Sequence, residues 1–182
     1  MNKIETIFER DSNFKVTPQV RKGTEWVFGG EGIATEKLDG TNVRLTVKSG
    51  KVIRVEKRRN PSRAEKAQGE EPGYIDASAE DPQDKHIFRA VAGTDVAGWD
   101  DGAWSCEAVG PKIQGNPLGL EVPTCYPFIS KPTIIPDVVR SYEGLKQLFF
   151  DFHSRYSPGH KGEGIVFHHP DGRMAKIKVR DF

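Results

Sequence analysis

The sequence predicts an α+β fold in which short strands outnumber helices, and three observations carry that expectation. Apolar residues alternate with polar ones over several short runs separated by Gly, Pro, Asn and Asp. Only one stretch has a clear helical period. Strands and helices are mixed along the chain, not alternating as a doubly wound sheet requires. With 182 residues, 36% hydrophobic and 29% charged, the chain reads as one domain able to bury a core without staples.

From Gly32 to Arg59 the pattern is strand, turn, strand, hairpin, strand: Ile33 to Leu38, Asp39-Gly40, then Val43, Leu45 and Val47 in alternation, then Lys48-Ser49-Gly50-Lys51, then Val52 to Arg58. This predicts an antiparallel meander. Residues 60–98 are rich in Gly, Pro, Ala and charge with weak periodicity, so they read as a mobile insertion holding one short helix over Lys85 to Ala92. A strand over Trp104 to Val109 ends at Gly110-Pro111, and a Pro-rich stretch follows. Tyr142, Leu145, Leu148, Phe149 and Phe152 recur at helical steps behind Ser141, an N-cap residue type, predicting a helix from about Ser141 to Ser154. The chain closes with a hairpin, Gly164 to His168 and Arg173 to Val179 around Pro170-Asp171-Gly172.

No apolar run approaches the roughly 18 residues of a membrane span, and the charges at Lys3, Glu5, Glu9 and Arg10 do not suit a signal peptide. A cytoplasmic protein with no membrane partner is expected. Two cysteines, Cys106 and Cys125, are too few for a disulfide framework or a zinc site, and Cys106 reads as a small core residue. His168 and His169 are adjacent on a strand and point to opposite faces, so they cannot chelate one metal; a surface or edge role is expected. Core packing is expected for at least two of Trp26, Trp99 and Trp104.

The net charge is only +1, but the charges are segregated. From Arg44 to Lys66 nine basic residues face Glu56 and Glu65, whereas from Glu70 to Asp101 nine acids face only Lys85 and Arg89. Such a chain can present one cationic surface to a polyphosphate; the alternative is two solvated faces.

Three segments carry chemistry. Glu36-Lys37-Leu38-Asp39-Gly40 puts a lysine at a strand end beside a glycine turn that lets a ligand approach the backbone. Lys161-Gly-Glu-Gly-Ile-Val puts a lone carboxylate, Glu163, at the mouth of an apolar strand, where a hard cation finds a ligand. Met174-Ala-Lys-Ile-Lys alternates, so Lys176 and Lys178 share one face and Ala175, Ile177 and Val179 the other. Two adjacent ammonium groups favour an anion between them, for which phosphate is the natural candidate, and they would lower the pKa of a third lysine brought close.

In this order, with Glu107 before Val109-Gly110, these segments resemble the motifs of the covalent nucleotidyltransferases, the superfamily of polynucleotide ligases and mRNA capping enzymes. Glu107-Ala-Val-Gly-Pro, Lys37-Leu-Asp-Gly-Thr and Met174-Ala-Lys-Ile-Lys are similar to a group of small ATP-dependent RNA ligases, a resemblance over about Ile33 to Phe182, nearly the whole chain. The resemblance implies an antiparallel-sheet adenylation domain with few helices and an ATP-grasp-like ligase core, without an OB-fold: one minimal domain over residues 1–182, acting as a monomer. It implies ATP as co-substrate, Mg²⁺ or Mn²⁺, and RNA with 5′-phosphate and 3′-hydroxyl ends as partner. Lys37 would attack the α-phosphate of ATP to give a lysyl-AMP, AMP would pass to the 5′-phosphate, and the 3′-hydroxyl would then displace it.

In the roles this resemblance implies, Lys176 and Lys178 bind phosphate and tune Lys37, and Glu163, with Asp39, holds the metal. Glu107 accepts from the ribose, the backbone around Glu36 reads the adenine edge, Gly40 opens the turn and Val166 packs under the base. Arg58-Arg59-Asn60 resembles the Arg-Asn that follows the nucleophile in many ligases; Arg59 is the arginine expected to reach the nucleotide. Phe88, Tyr126 and Phe128 are the candidates to stack on the adenine. A capping-type guanylyltransferase, a DNA ligase, or an inactive nucleotide- or RNA-binding module are the alternatives.

Overall fold

The computed structural model describes residues 4–182. Along the chain run β1 (Glu5–Thr6), β2 (Phe8–Arg10), β3 (Val16–Val20), α1 (Glu25–Phe28), β4 (Ile33–Lys37), β5 (Thr41–Lys48), β6 (Lys51–Arg59), α2 (Arg63–Ala67), β7 (Gly73–Asp76), α3 (Lys85–Ala92), β8 (Gly102–Val109), β9 (Thr124–Pro127), α4 (Tyr142–Phe150), β10 (Gly164–His168), β11 (Met174–Lys178) and a closing 3₁₀ turn, Val179–Asp181. The fold is mixed α+β, mostly sheet with few helices. The described residues divide into two compact units, a terminal unit of Ile4–Leu38 and Ile129–Phe182 and a central unit of Asp39–Phe128.

The terminal unit is built on a four-stranded sheet in the order β1-β11-β10-β4. One face of β4, β10 and β11 carries Ala34, Ile165, Phe167, Ala175 and Ile177, which join Leu145, Phe149 and Phe152 in a buried core. The alternation predicted for β11 is therefore realised. Ser141 caps α4 through its hydroxyl, which accepts from the Gly144 amide at 3.1 Å. The helix stops at Phe150, short of the expected Ser154, because Asp151 leaves helical geometry and the chain turns into a bridge between His153 and Lys161. Phe152 still reaches the core, so its periodicity was a packing signal and not a helical one.

The N-terminal strands β1 to β3 carry no long alternation and are invisible to pattern reading, yet β1 pairs in parallel with β11, Thr6 opposite Lys176. Asp181, buried, accepts from the Lys178 amide at 2.9 Å and from Arg10 of β2 at 2.6 Å. The N-terminal segment thus braces the strand that carries both closing lysines.

The central unit is a five-stranded sheet, β7-β6-β5-β8-β9. Val43, Leu45, Cys106 and Ala108 form its apolar face, covered by Ile87 and Ala90 of α3, whose predicted span is observed. The predicted meander is corrected: β5 and β6 form the hairpin, but β4 pairs with β10 in the other sheet and β5 takes β8 instead. The Asp39-Gly40 turn changes sheets, which a local pattern cannot reveal.

Candidate functional site

In the terminal unit, register places the chemistry. Lys37 of β4 and Lys178 of β11 are both directly opposite Gly164 of β10, so two long side chains flank a position with none. Gly164 has no alternative there: a Cβ would lie 2.2 Å from the Ile177 carbonyl oxygen. Its neighbour Gly162 is equally constrained, since a Cβ would lie 2.4 Å from the Phe152 ring. Between them stands Glu163. One carboxylate oxygen accepts from the Lys37 ammonium at 2.6 Å and the other from the Lys178 ammonium. Lys37 also donates to the Leu38 carbonyl at 3.3 Å. Lys37, Glu163 and Lys178 thus converge, with only 20%, 14% and 15% of their side chains exposed.

Lys176 lies on the same face two residues along β11, opposite Val166 and in line with Thr35. Val166 is buried on that face, next to the row of Lys37, Gly164 and Lys178. His168 follows on the same face and donates to, or accepts from, the Thr35 hydroxyl at 2.9 Å. It is buried, against the surface or edge role expected, because β10 is an interior strand; burial pushes its pKa down to about 4. Glu36 points to the core face, opposite Ile165 and in line with Ile177 beyond it. Its carboxylate accepts the Arg155 amide at 2.8 Å, burial pushes its pKa up, and its own amide donates to the Thr133 carbonyl at 2.8 Å.

In the central unit, Gly40 and Glu107 meet. The Gly40 amide donates to the Glu107 carboxylate at 3.1 Å, and a Cβ at Gly40 would lie 2.2 Å from the Ala108 carbonyl oxygen. Asp39 is exposed beside them in sequence. Glu107 shares the polar face of the sheet with Asn42 on one side and Tyr126 on the other, each directly opposite it. Tyr74 of β7 donates to Asn42 at 2.7 Å and lies under the Arg44 guanidinium, 4.5 Å away. Arg58 is opposite Tyr74 and therefore on this face, its Nε buried without a hydrogen-bond partner among the described residues. Arg59 projects to the other face, where it pairs with Glu65 and, at 2.8 Å, with Glu70. Of the three aromatic candidates, Tyr126 lies directly opposite Glu107, Phe128 follows the end of β9 with its amide donating to the Ser105 carbonyl at 3.0 Å, and Phe88 belongs to α3, which packs against the apolar face. Cys106 and Cys125 are buried, and burial pushes both thiols up, Cys125 to about 11, as inert core residues.

The cationic surface expected of the basic run is partly cancelled. Arg44 pairs with Glu56 at 2.6 Å, Arg54 with Asp76 at 2.6 Å, Lys57 with Asp84 at 2.7 Å and Arg59 with Glu70. The acidic run folds back on the basic one, so charges segregated in sequence become mixed in space. Strands β6 and β7 do this, and β7 was not foreseen.

A divalent cation was expected at Glu163 and Asp39. Among the described residues no group of three or more His, Cys, Asp or Glu side chains could hold a metal. A single carboxylate suits instead a cation that arrives with phosphate, since Mg²⁺ commonly takes one or two carboxylates and completes its shell with phosphate oxygens and water.

No family model matches the chain, and no curated protein matches it in sequence. Solved structures do resemble it. A mutant of the Naegleria gruberi RNA ligase with ATP and Mn is similar with a TM-score of 0.54 and 17% identity, over 99% of this chain and 62% of that one. The same ligase with PPi gives a TM-score of 0.51 at 17% identity, over 98% of this chain and 61% of the other. A further mutant with AMP and Mn gives 0.51 at 16% identity, over 99% and 61%. The chain therefore spans about 62% of the length of these ligases and shares their fold. Among the described residues no helix is long and apolar enough to cross a membrane.

Proposed function

We propose that this chain is an ATP-dependent RNA ligase that adenylates itself on Lys37, passes AMP to a 5′-phosphate RNA end and seals that end to a 3′-hydroxyl. The observation that carries the reading is the convergence of Lys37 and Lys178 on the Glu163 carboxylate across Gly164. The likeness in fold to an RNA ligase solved with ATP, AMP and PPi supports it. As it stands, Lys37 is an ammonium paired with Glu163. Once it leaves that carboxylate and gives a proton to solvent, its lone pair attacks the α-phosphorus. The P–N bond forms as the bond to the bridging oxygen breaks, and pyrophosphate leaves with the electron pair. Lys178, released from Glu163 in the same exchange, and Lys176 neutralise the α-phosphate oxygens. Glu163 would hold Mg²⁺ or Mn²⁺ together with phosphate oxygens, with Asp39 the other ligand the resemblance implies, and the cation supplies charge neutralisation at the leaving group.

For the nucleoside, the resemblance assigns Glu107 to the ribose, Gly40 to close backbone approach, Glu36 to the adenine edge and Val166 to packing under the base. Of the two arginines, sharing a face with Glu107 favours Arg58 over the expected Arg59. Tyr126, opposite Glu107, is the favoured stacking aromatic. Both units belong to one catalytic domain in this reading, residues 60–98 are its mobile insertion, and the enzyme works as a cytoplasmic monomer.

Sealing tests the substrate. A single-stranded RNA with a 5′-phosphate and 3′-hydroxyl, incubated with the protein, ATP and Mn²⁺, is expected to be joined, and the Lys37→Ala variant is expected to join none. Joining of DNA ends only, or use of GTP in place of ATP, would overturn the RNA ligase assignment in favour of a sister enzyme.

A further inference from the structure

We infer that the outer stripe of α3 is a second RNA-binding site, contacting the strand away from the ends being joined; this rests on the RNA ligase reading above. Lys85, Phe88, Arg89 and Ala92 recur at steps of three, one and three residues, which puts them on one helical face, while Ile87 and Ala90 fill the core on the other. With Ala79 of the preceding loop, the stripe lines an open cavity of about 290 Å³. The far wall is held in place: buried Asp84 accepts from the Ser78 amide at 3.0 Å and from Lys57 of β6 at 2.7 Å.

Arg44, Arg54, Lys57 and Arg59 of the basic run are spent on carboxylates, whereas Lys85 and Arg89, the two cations within the acidic stretch, make no ion pair among the described residues; unlike the other unpaired cations of the basic run, both line one cavity with a phenyl ring, that of Phe88. Two exposed, unpaired cations one helical turn apart, with a half-buried phenyl ring between them, offer phosphate contacts beside a stacking surface. That is the pattern by which proteins hold single-stranded nucleic acid without reading its sequence. The site lies on the face of the central sheet opposite Glu107, so it is separate from the residues assigned to the nucleotide.

The test measures binding of a fluorescently labelled single-stranded RNA to the full chain across a salt series. Lys85→Ala/Arg89→Ala is expected to weaken binding about tenfold and to reduce the slope of log affinity against log salt by about 1.4, since each phosphate contact to a single strand contributes about 0.7. Self-adenylation with α-labelled ATP is expected to stay at the wild-type level in that variant. Phe88→Leu is expected to weaken binding while Phe88→Trp restores it, which separates stacking from mere packing. An unchanged salt slope in the double variant would overturn the site, as would RNA binding that an acidic polypeptide displaces while RNA competitor does not. Loss of self-adenylation in the wild-type protein, with the salt slope still dependent on Lys85 and Arg89, would overturn the ligase reading and leave the RNA site standing.

Discussion

Glu163 sets the resting state of the lysines. Its carboxylate satisfies Lys37 and Lys178 together in a place where all three side chains are mostly shielded from water. Removing the charge while keeping the shape is therefore informative. Glu163→Gln leaves two partly buried ammonium groups without their counter-ion and is expected to cost about 1–3 kcal/mol of stability, read as a lowered denaturation midpoint. If Glu163 also takes the cation, the same variant loses at least about tenfold in the rate of adenylation, and raising Mn²⁺ restores part of it. A rate loss of the same size at every Mn²⁺ concentration would remove Glu163 from metal binding. That this carboxylate would stand out was legible from its place at the mouth of an apolar strand, where a lone charge is costly without a partner. The ion-pair bridge itself was not legible: it depends on register across three strands distant in sequence.

At the scale of elements, the site is a product of β4, β10 and β11 lying side by side in register. Gly164 is the hinge of that arrangement, since any side chain there meets the backbone of β11. Gly164→Ala is expected to cost about 1–3 kcal/mol by overpacking and to part Lys37 from Lys178. Its midpoint in urea should fall and its adenylation rate should fall further than the stability loss explains. An alanine variant with wild-type stability and rate would show that the close approach of β10 and β11 is not needed. Alternation in Met174 to Lys178 and in Val43 to Val47 made those strands and their faces readable in advance. The sheet change at Gly40, the brace from β1 and β2, and the pairing of β7 with β6 were not readable, because each joins a short or irregular segment to a partner many residues away. Arg59 shows the same limit: a one-residue ambiguity in a strand decides which face an arginine occupies, and only the pairing of Arg58 with Tyr74 resolves it.

For the whole molecule, buried titratable groups give stability a defined pH dependence. His168 is neutral in the fold down to about pH 4, whereas in the unfolded chain it protonates near 6.5. Between those values the unfolded state binds the extra proton, so stability falls as pH drops from about 6.5 to about 4, by up to about 3 kcal/mol. Glu36, pushed up by burial, acts in the opposite sense, carrying its proton to higher pH in the fold and lowering stability as pH rises above its ordinary value. Thermal midpoints across this range are expected to drop on the acid side, and His168→Asn is expected to flatten that drop. An unchanged acid slope would mean that the imidazole protonates in place.

The chain as a whole shares its fold with an RNA ligase about 1.6 times its length, given that it spans 62% of it. What the proposal adds is one bond, from the Lys37 nitrogen to phosphorus. The most direct measurement is incubation of the purified protein with α-labelled ATP and Mn²⁺, followed by denaturation and peptide mapping. The account requires label retained on the peptide containing Lys37, lost on acid treatment and absent from Lys37→Ala. Label that stays free, or that maps to any other residue, would contradict it.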